Sequence, residues 1–147
     1  MSLPEPPPFA RKFIKKIDHL GIAVSSLETA VPLYEALLGA TVEHLEEVPT
    51  EKVKTAFFSV GETHLELLEP TDPDSVIGQF IAKRRGGIHH LCFEVTDLDA
   101  ALAEYKARGV RLIDQVARPG AQGCRVAFVH PAASGGVLIE LSEKPRG

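Results

Sequence analysis

The sequence repeats itself. Shifted by 71 positions, residues 17 to 34 fall on residues 88 to 105 with seven identities in 18 positions: Ile17 on Ile88, His19 on His90, Leu20 on Leu91, Val24 on Val95, Leu27 on Leu98, Ala30 on Ala101 and Tyr34 on Tyr105. Unrelated segments of that length share about one. The same shift carries "AF" at 56–57 onto "AF" at 127–128, and three further residues carry "LEL" at 65–67 onto "IEL" at 139–141. The repeat therefore lays His19 on His90 and Glu66 on Glu140.

Each copy has the same pattern of elements. "IDHLGIAV" alternates and is rich in branched residues, which predicts a strand. "SSLETAVPLYEALLGA" predicts a helix, capped by Ser25 or Ser26, with Leu27, Val31, Tyr34 and Leu38 at helical spacing and Gly39 as its stop. "TVEHLEEV", "KVKTAFFSV" and "THLELLEP" then predict three strands, the last two joined by a turn at Gly61-Glu62. The second copy offers "IHHLCFEV", the helix "DLDAALAEYKARG", and the strands "VRLIDQ", "CRVAFVH" and "VLIEL". The expected fold is α+β, with two βαβββ modules related by pseudo-twofold symmetry whose curved sheets enclose a cleft. Expected boundaries are a disordered, proline-rich lead-in over 1–16, a first module over 17–70, a helical linker over 71–87 and a second module over 88–145.

Strand alternation chooses between the adjacent histidines of "GGIHHLCFEV". Leu91, Phe93 and Val95 share a face with His89, and His90 points the other way beside Cys92. His19 likewise lies opposite Leu20, Ile22 and Val24, while Glu66 and Glu140 lie opposite the apolar residues flanking them. All four repeat-matched residues are thus expected on the face that the helices leave uncovered, and His90, not His89, is the expected functional histidine. His64 competes, since it shares a strand face with Glu66, but its repeat partner is Leu138. His130, in "HPAASGG", reads as a turn residue.

Composition removes several classes of function. A chain of 147 residues, 44% hydrophobic and 24% charged, can build a sizeable core. A net charge of -4 and a pI near 5.9 argue against a nucleic-acid surface, which needs a concentrated basic face. Lys83-Arg84-Arg85 is the one basic cluster, and it reads as a helix end. No apolar run is long enough to span a bilayer and the start lacks an apolar signal stretch, so a cytoplasmic protein with no membrane partner is expected. Cys92 and Cys124 are expected to be reduced and to pack as small apolar residues.

Two imidazoles and two carboxylates suit a divalent first-row metal, with two positions left on an octahedral ion for a chelating substrate. Paired βαβββ modules with this ligand set resemble the vicinal oxygen chelate superfamily, and "IDHLGIAV", "LELLEP", "GGIHHLCFEV" and "GVLIEL" resemble the methylmalonyl-CoA epimerases within it. The resemblance runs from Ile17 to Pro145. It implies metal ligands His19, Glu66, His90 and Glu140, a divalent ion (Co²⁺ first, with Mn²⁺, Ni²⁺ or Zn²⁺ as alternatives), an acyl-CoA thioester substrate, a homodimer, and interconversion of the two C2 epimers of methylmalonyl-CoA.

That reaction needs a base on each face of a planar enolate. Glu140 is the expected first base and Glu66 the leading second, with Glu47 and Glu51 behind it. Some members of the family place a glutamate in the strand matching "VKTAF", where this chain has Thr55, and "HPK" is here "HPA" with Ala132. The loop "RPGAQGCR" offers backbone amides to a thioester or a phosphate, or is a plain surface turn. The cations available to CoA are Lys83, Arg84, Arg85, Arg118 and Arg125. Three alternatives stand beside this reading: a glyoxalase I-like lyase acting on a glutathione hemithioacetal, a ring-cleaving dioxygenase, for which Glu66 would fill a position O₂ needs, and a metal-free small-molecule-binding protein.

Overall fold

The computed structural model describes residues 2–5 and 13–146. Residues 1 and 6–12 of the expected lead-in lie outside them. In chain order the elements are β1 (Ile14–Ala23), α1 (Leu27–Leu38), β2 (His44–Val48), β3 (Val53–Val60), β4 (Thr63–Pro70), α2 (Val76–Arg84), β5 (Gly87–Val95), α3 (Leu98–Ala107), β6 (Arg118–Pro119), β7 (Arg125–Val129) and β8 (Leu138–Glu143). This is the α+β, twice-repeated βαβββ order that the sequence predicts. The chain forms two compact units, one made of residues 19–91 and the other of 1–18 with 92–147. The division falls inside β1 and inside β5.

In the unit of residues 19–91 the sheet order is β2-β3-β4-β1. β1 runs parallel to β4, with His19 beside His64 and Gly21 beside Glu66, and β4 pairs antiparallel with β3, Glu66 against Phe57. Partners across a ladder point to the same face, so the sheet has two different sides. On one, Ala56, Phe58 and Leu67 are buried beneath α1 through Ala30, Val31 and Tyr34. The other carries His19, Gly21, Thr55 and Glu66, and at one end it is covered by α2, where Ile77 and Phe80 pack on Ala23, Val53 and Leu68. The expectation that this face is free of helices is corrected there: the linker helix covers one end of it.

Local chemistry sets the ends of α1. Ser26 accepts from the amide of Thr29 at 3.4 Å, and Gly39, at φ 63°, turns the chain out in a left-handed conformation that a side chain disfavours. The carboxylate of Glu69 on β4 accepts a further bond, 2.7 Å from the amide of Leu27.

The unit of residues 1–18 and 92–147 repeats these devices. Asp97 caps α3 through the amide of Ala100 at 3.1 Å, and Glu143 on β8 accepts from the amide of Leu98 at 2.9 Å. The core gathers Val95, Leu98, Leu102, Ala127, Val129 and Leu141. β7 pairs antiparallel with β6 and β8, and Glu140 lies opposite Phe128. Arg125 donates to both oxygens of Asp99, at 3.0 and 2.7 Å, which holds the Asp99 carboxyl below the usual carboxylate range.

One expected strand is missing. "VRLIDQ" makes only an isolated bridge, Leu112 to Val129. The reason is Asp114: its carboxylate takes the amide of Phe128 at 2.8 Å, and the amides of Ile113 and Asp114 share the Phe128 carbonyl. A side chain that occupies the ladder position of a backbone carbonyl ends regular pairing. β6 forms later, and β1 begins at Ile14, inside the expected lead-in. Cys92 is buried and Cys124 partly exposed, and neither is in a disulfide. Among the described residues no helix is long and apolar enough to cross a membrane.

Candidate metal centre

Three of the four expected ligands belong to the unit of residues 19–91 and converge within it. His19 comes from β1, Glu66 from β4 and His90 from β5. His19 Nε2 stands 3.1 Å from His90 Nε2 and 3.1 Å from Glu66 Oε2. The His19 and Glu66 side chains are 12% and 19% exposed, and His90 is 9% exposed.

The spacing suits an ion. Two donors at right angles, each about 2.1 Å from one metal, lie about 3.0 Å apart. The same separation serves a hydrogen bond when one of the two nitrogens carries a proton. Two imidazoles and a carboxylate, largely withdrawn from water with their donor atoms together, form a set that fits a divalent first-row cation.

Gly21 makes this approach possible. A Cβ built there would lie 2.2 Å from Cε1, 2.5 Å from Nδ1 and 2.8 Å from Nε2 of His90. The imidazole occupies the space that any other residue in β1 would fill. Sequence reasoning passed over Gly21, although a glycine inside an alternating strand is a recognised sign of close approach by another group.

His89 is half-buried and turns its ring edge-on to Phe80 of α2, with centroids 5.1 Å apart. Its Nδ1 lies 3.0 Å from His90 Nδ1. Glu140 belongs to the other unit, half-buried on β8. Thr55 is buried, its hydroxyl donating to the Glu46 carbonyl at 3.2 Å, which leaves no basic group at that place. Glu47 and Glu51 are exposed, on and after β2. His130 caps a short turn, accepting from the amide of Ala132 at 3.0 Å, as expected of a turn residue. Among the cations, Arg125 is committed to Asp99 and Glu143, and Arg118 lies 3.4 Å from Asp114 and over the ring of Phe128. Arg84 lies over Phe80.

Residues 18–128 match the family model of the Glyoxalase/Bleomycin resistance protein/Dioxygenase superfamily, and the chain belongs to that superfamily and, within it, to the methylmalonyl-CoA epimerase family. It is 39% identical over 129 residues to the mitochondrial methylmalonyl-CoA epimerase of Homo sapiens, covering 87% of this chain and 73% of that one. Among solved structures it is similar to the methylmalonyl-CoA epimerase of Mycobacterium tuberculosis, with a TM-score of 0.82, 38% identity and 90% of each chain covered. It is also similar to a Streptomyces coelicolor methylmalonyl-CoA epimerase variant in complex with 2-nitronate-propionyl-CoA, with a TM-score of 0.80, 37% identity, and 89% of this chain and 95% of that one covered.

Proposed function

We propose that this chain is a methylmalonyl-CoA epimerase that binds its divalent ion through His19, Glu66, His90 and Glu140. The observation that carries the reading is the meeting of His19 Nε2, His90 Nε2 and Glu66 Oε2 in a chain of this family. Glu140 enters the set through the repeat, which pairs it with Glu66.

When bound, a divalent cation supplies positive charge against the negative charge that develops on the substrate oxygens as C2 loses its proton. The rest of the reaction is proton handling. C2 of methylmalonyl-CoA lies between a carboxylate and a thioester, so its hydrogen is weakly acidic and its conjugate base is planar. Glu140 removes the proton from one face. Return from the opposite face inverts the centre, and that requires a second carboxyl group, since the Thr55 hydroxyl is a poor base. Glu66 fills this role ahead of Glu47 and Glu51, because it already stands at the metal set and they are exposed on the hairpin.

We assign Co²⁺ as the preferred ion, with Mn²⁺, Ni²⁺ or Zn²⁺ as alternatives, and a cytoplasmic homodimer as the working form. The test is a side-by-side assay of the Co²⁺-loaded protein on methylmalonyl-CoA and on a glutathione hemithioacetal. Epimerisation of the first without isomerisation of the second is expected; the reverse would make the protein a glyoxalase I-like lyase. Failure to take up any of these ions would favour a metal-free binding protein.

A further inference from the structure

His89 and His90 are adjacent, yet both rings are engaged. His90 directs Nε2 toward His19 at 3.1 Å, and its other nitrogen, Nδ1, meets Nδ1 of His89 at 3.0 Å. A neutral imidazole has one N–H and one lone pair. For Nε2 of His90 to offer its lone pair to an ion, the proton must sit on Nδ1, and that N–H then needs an acceptor. His89 Nδ1 is placed to be that acceptor, with the His89 proton on its own Nε2.

The rest of the geometry holds His89 still. Its ring stands at 90° to Phe80 of α2, and Phe80 in turn lies 5.7 Å beneath the guanidinium carbon of Arg84. The His89 and His90 rings are themselves nearly perpendicular, at 87°. On its other side His90 rests against Gly21. The linker helix has no counterpart within either repeat, and through Phe80 it reaches the histidine that touches the expected ligand.

We propose that His89 is a positioning residue: it accepts a hydrogen bond from His90 Nδ1–H, fixes the tautomer of His90, and so keeps Nε2 unprotonated for the ion. This rests on the metal reading given above and is independent of the substrate.

Two variants test it, His89→Ala, which removes the acceptor, and His89→Asn, whose side-chain oxygen stands at the same remove from the backbone as Nδ1. Long-range ¹H–¹⁵N NMR of the apoprotein should show His90 as the Nδ1–H tautomer in the wild type and in His89→Asn, and as a mixture or the Nε2–H form in His89→Ala. Co²⁺ affinity, measured by chelator competition, should fall about 10- to 100-fold in His89→Ala and stay near the wild-type value in His89→Asn. An Nε2–H tautomer in wild-type apoprotein would overturn the proposal. So would unchanged affinity in His89→Ala, or equal losses in both variants, which would mean that packing on Phe80 is what matters. Neither readout uses the epimerase reaction, so a protein that passes both and fails to epimerise would refute the substrate reading alone. A wild-type protein that binds no Co²⁺ would overturn the metal reading and, with it, this one.

Discussion

Substituting Gly21 by alanine adds one methyl group to β1 and should cost the protein its metal. The added carbon would lie 2.2 Å from His90 Cε1. Carbon atoms in favourable contact stand about 3.5–4.0 Å apart, so the imidazole must retreat by more than about 1 Å. Ligand distances at a metal are fixed to within about 0.2 Å, so the retreat is several times what the bond tolerates. Loss of one imidazole from the set should weaken Co²⁺ binding by at least about 100-fold, or about 2.7 kcal/mol. The backbone raises no objection of its own, because Gly21 is absent from the glycines with positive φ. Circular dichroism should therefore show a folded variant, and chelator competition should show the lost affinity. The control is a double-mutant cycle for stability in the apoprotein: Gly21→Ala should be costly beside His90 and nearly harmless in a His90→Ala background. Wild-type metal affinity in Gly21→Ala would refute the close approach of His90 to β1. Additive stability effects would mean that alanine harms the strand by some other route.

The two carboxylates assigned to proton transfer can be separated by glutamine, which offers an oxygen to a metal but cannot accept a proton. Glu140→Gln should keep much of its metal yet epimerise about 10²- to 10⁴-fold more slowly. Glu66→Gln should lose less; if in D₂O it exchanges the C2 hydrogen of one epimer without inverting it, Glu66 is the second base, and normal rates in both variants would move the search to Glu47 and Glu51. Elsewhere, Glu143→Ala should cost about 1–2 kcal/mol in urea unfolding and Glu143→Gln clearly less, because only the alanine leaves the buried amide of Leu98 without its acceptor.

Strand alternation and the repeat both point to His90 in the sequence. The repeat lays His19 on His90, and the structure brings the two to 3.1 Å; alternation expects His89 on the opposite face, yet its ring meets Phe80 of α2, the helix that covers one end of the His19 face. The repeat and the alternation are both properties of the chain itself. What could not be read was what lies opposite a residue in space. Gly21 looks like any strand glycine until the ring of His90 is laid over it. Glu69 and Glu143 occupy equivalent places in the repeat, three residues after Glu66 and Glu140, yet only tertiary structure shows each reaching the first amide of a helix. "VRLIDQ" alternates as a strand should, but alternation reports which side chains are apolar. It is silent on whether Asp114 will take an amide that the ladder needs.

The contact between His19 and His90 also has a consequence in polymer terms. The two residues are 71 positions apart, at the start and near the end of the unit of residues 19–91. An ion held by both would tie the entrance of that stretch of chain to its exit, as a cross-link does. Closing a loop of this length removes about 4 kcal/mol of conformational freedom from the unfolded chain. Metal and fold would then be thermodynamically linked: the ion would raise the unfolding temperature of residues 19–91 as a whole, and the protein would be most open to proteases and denaturants when starved of it.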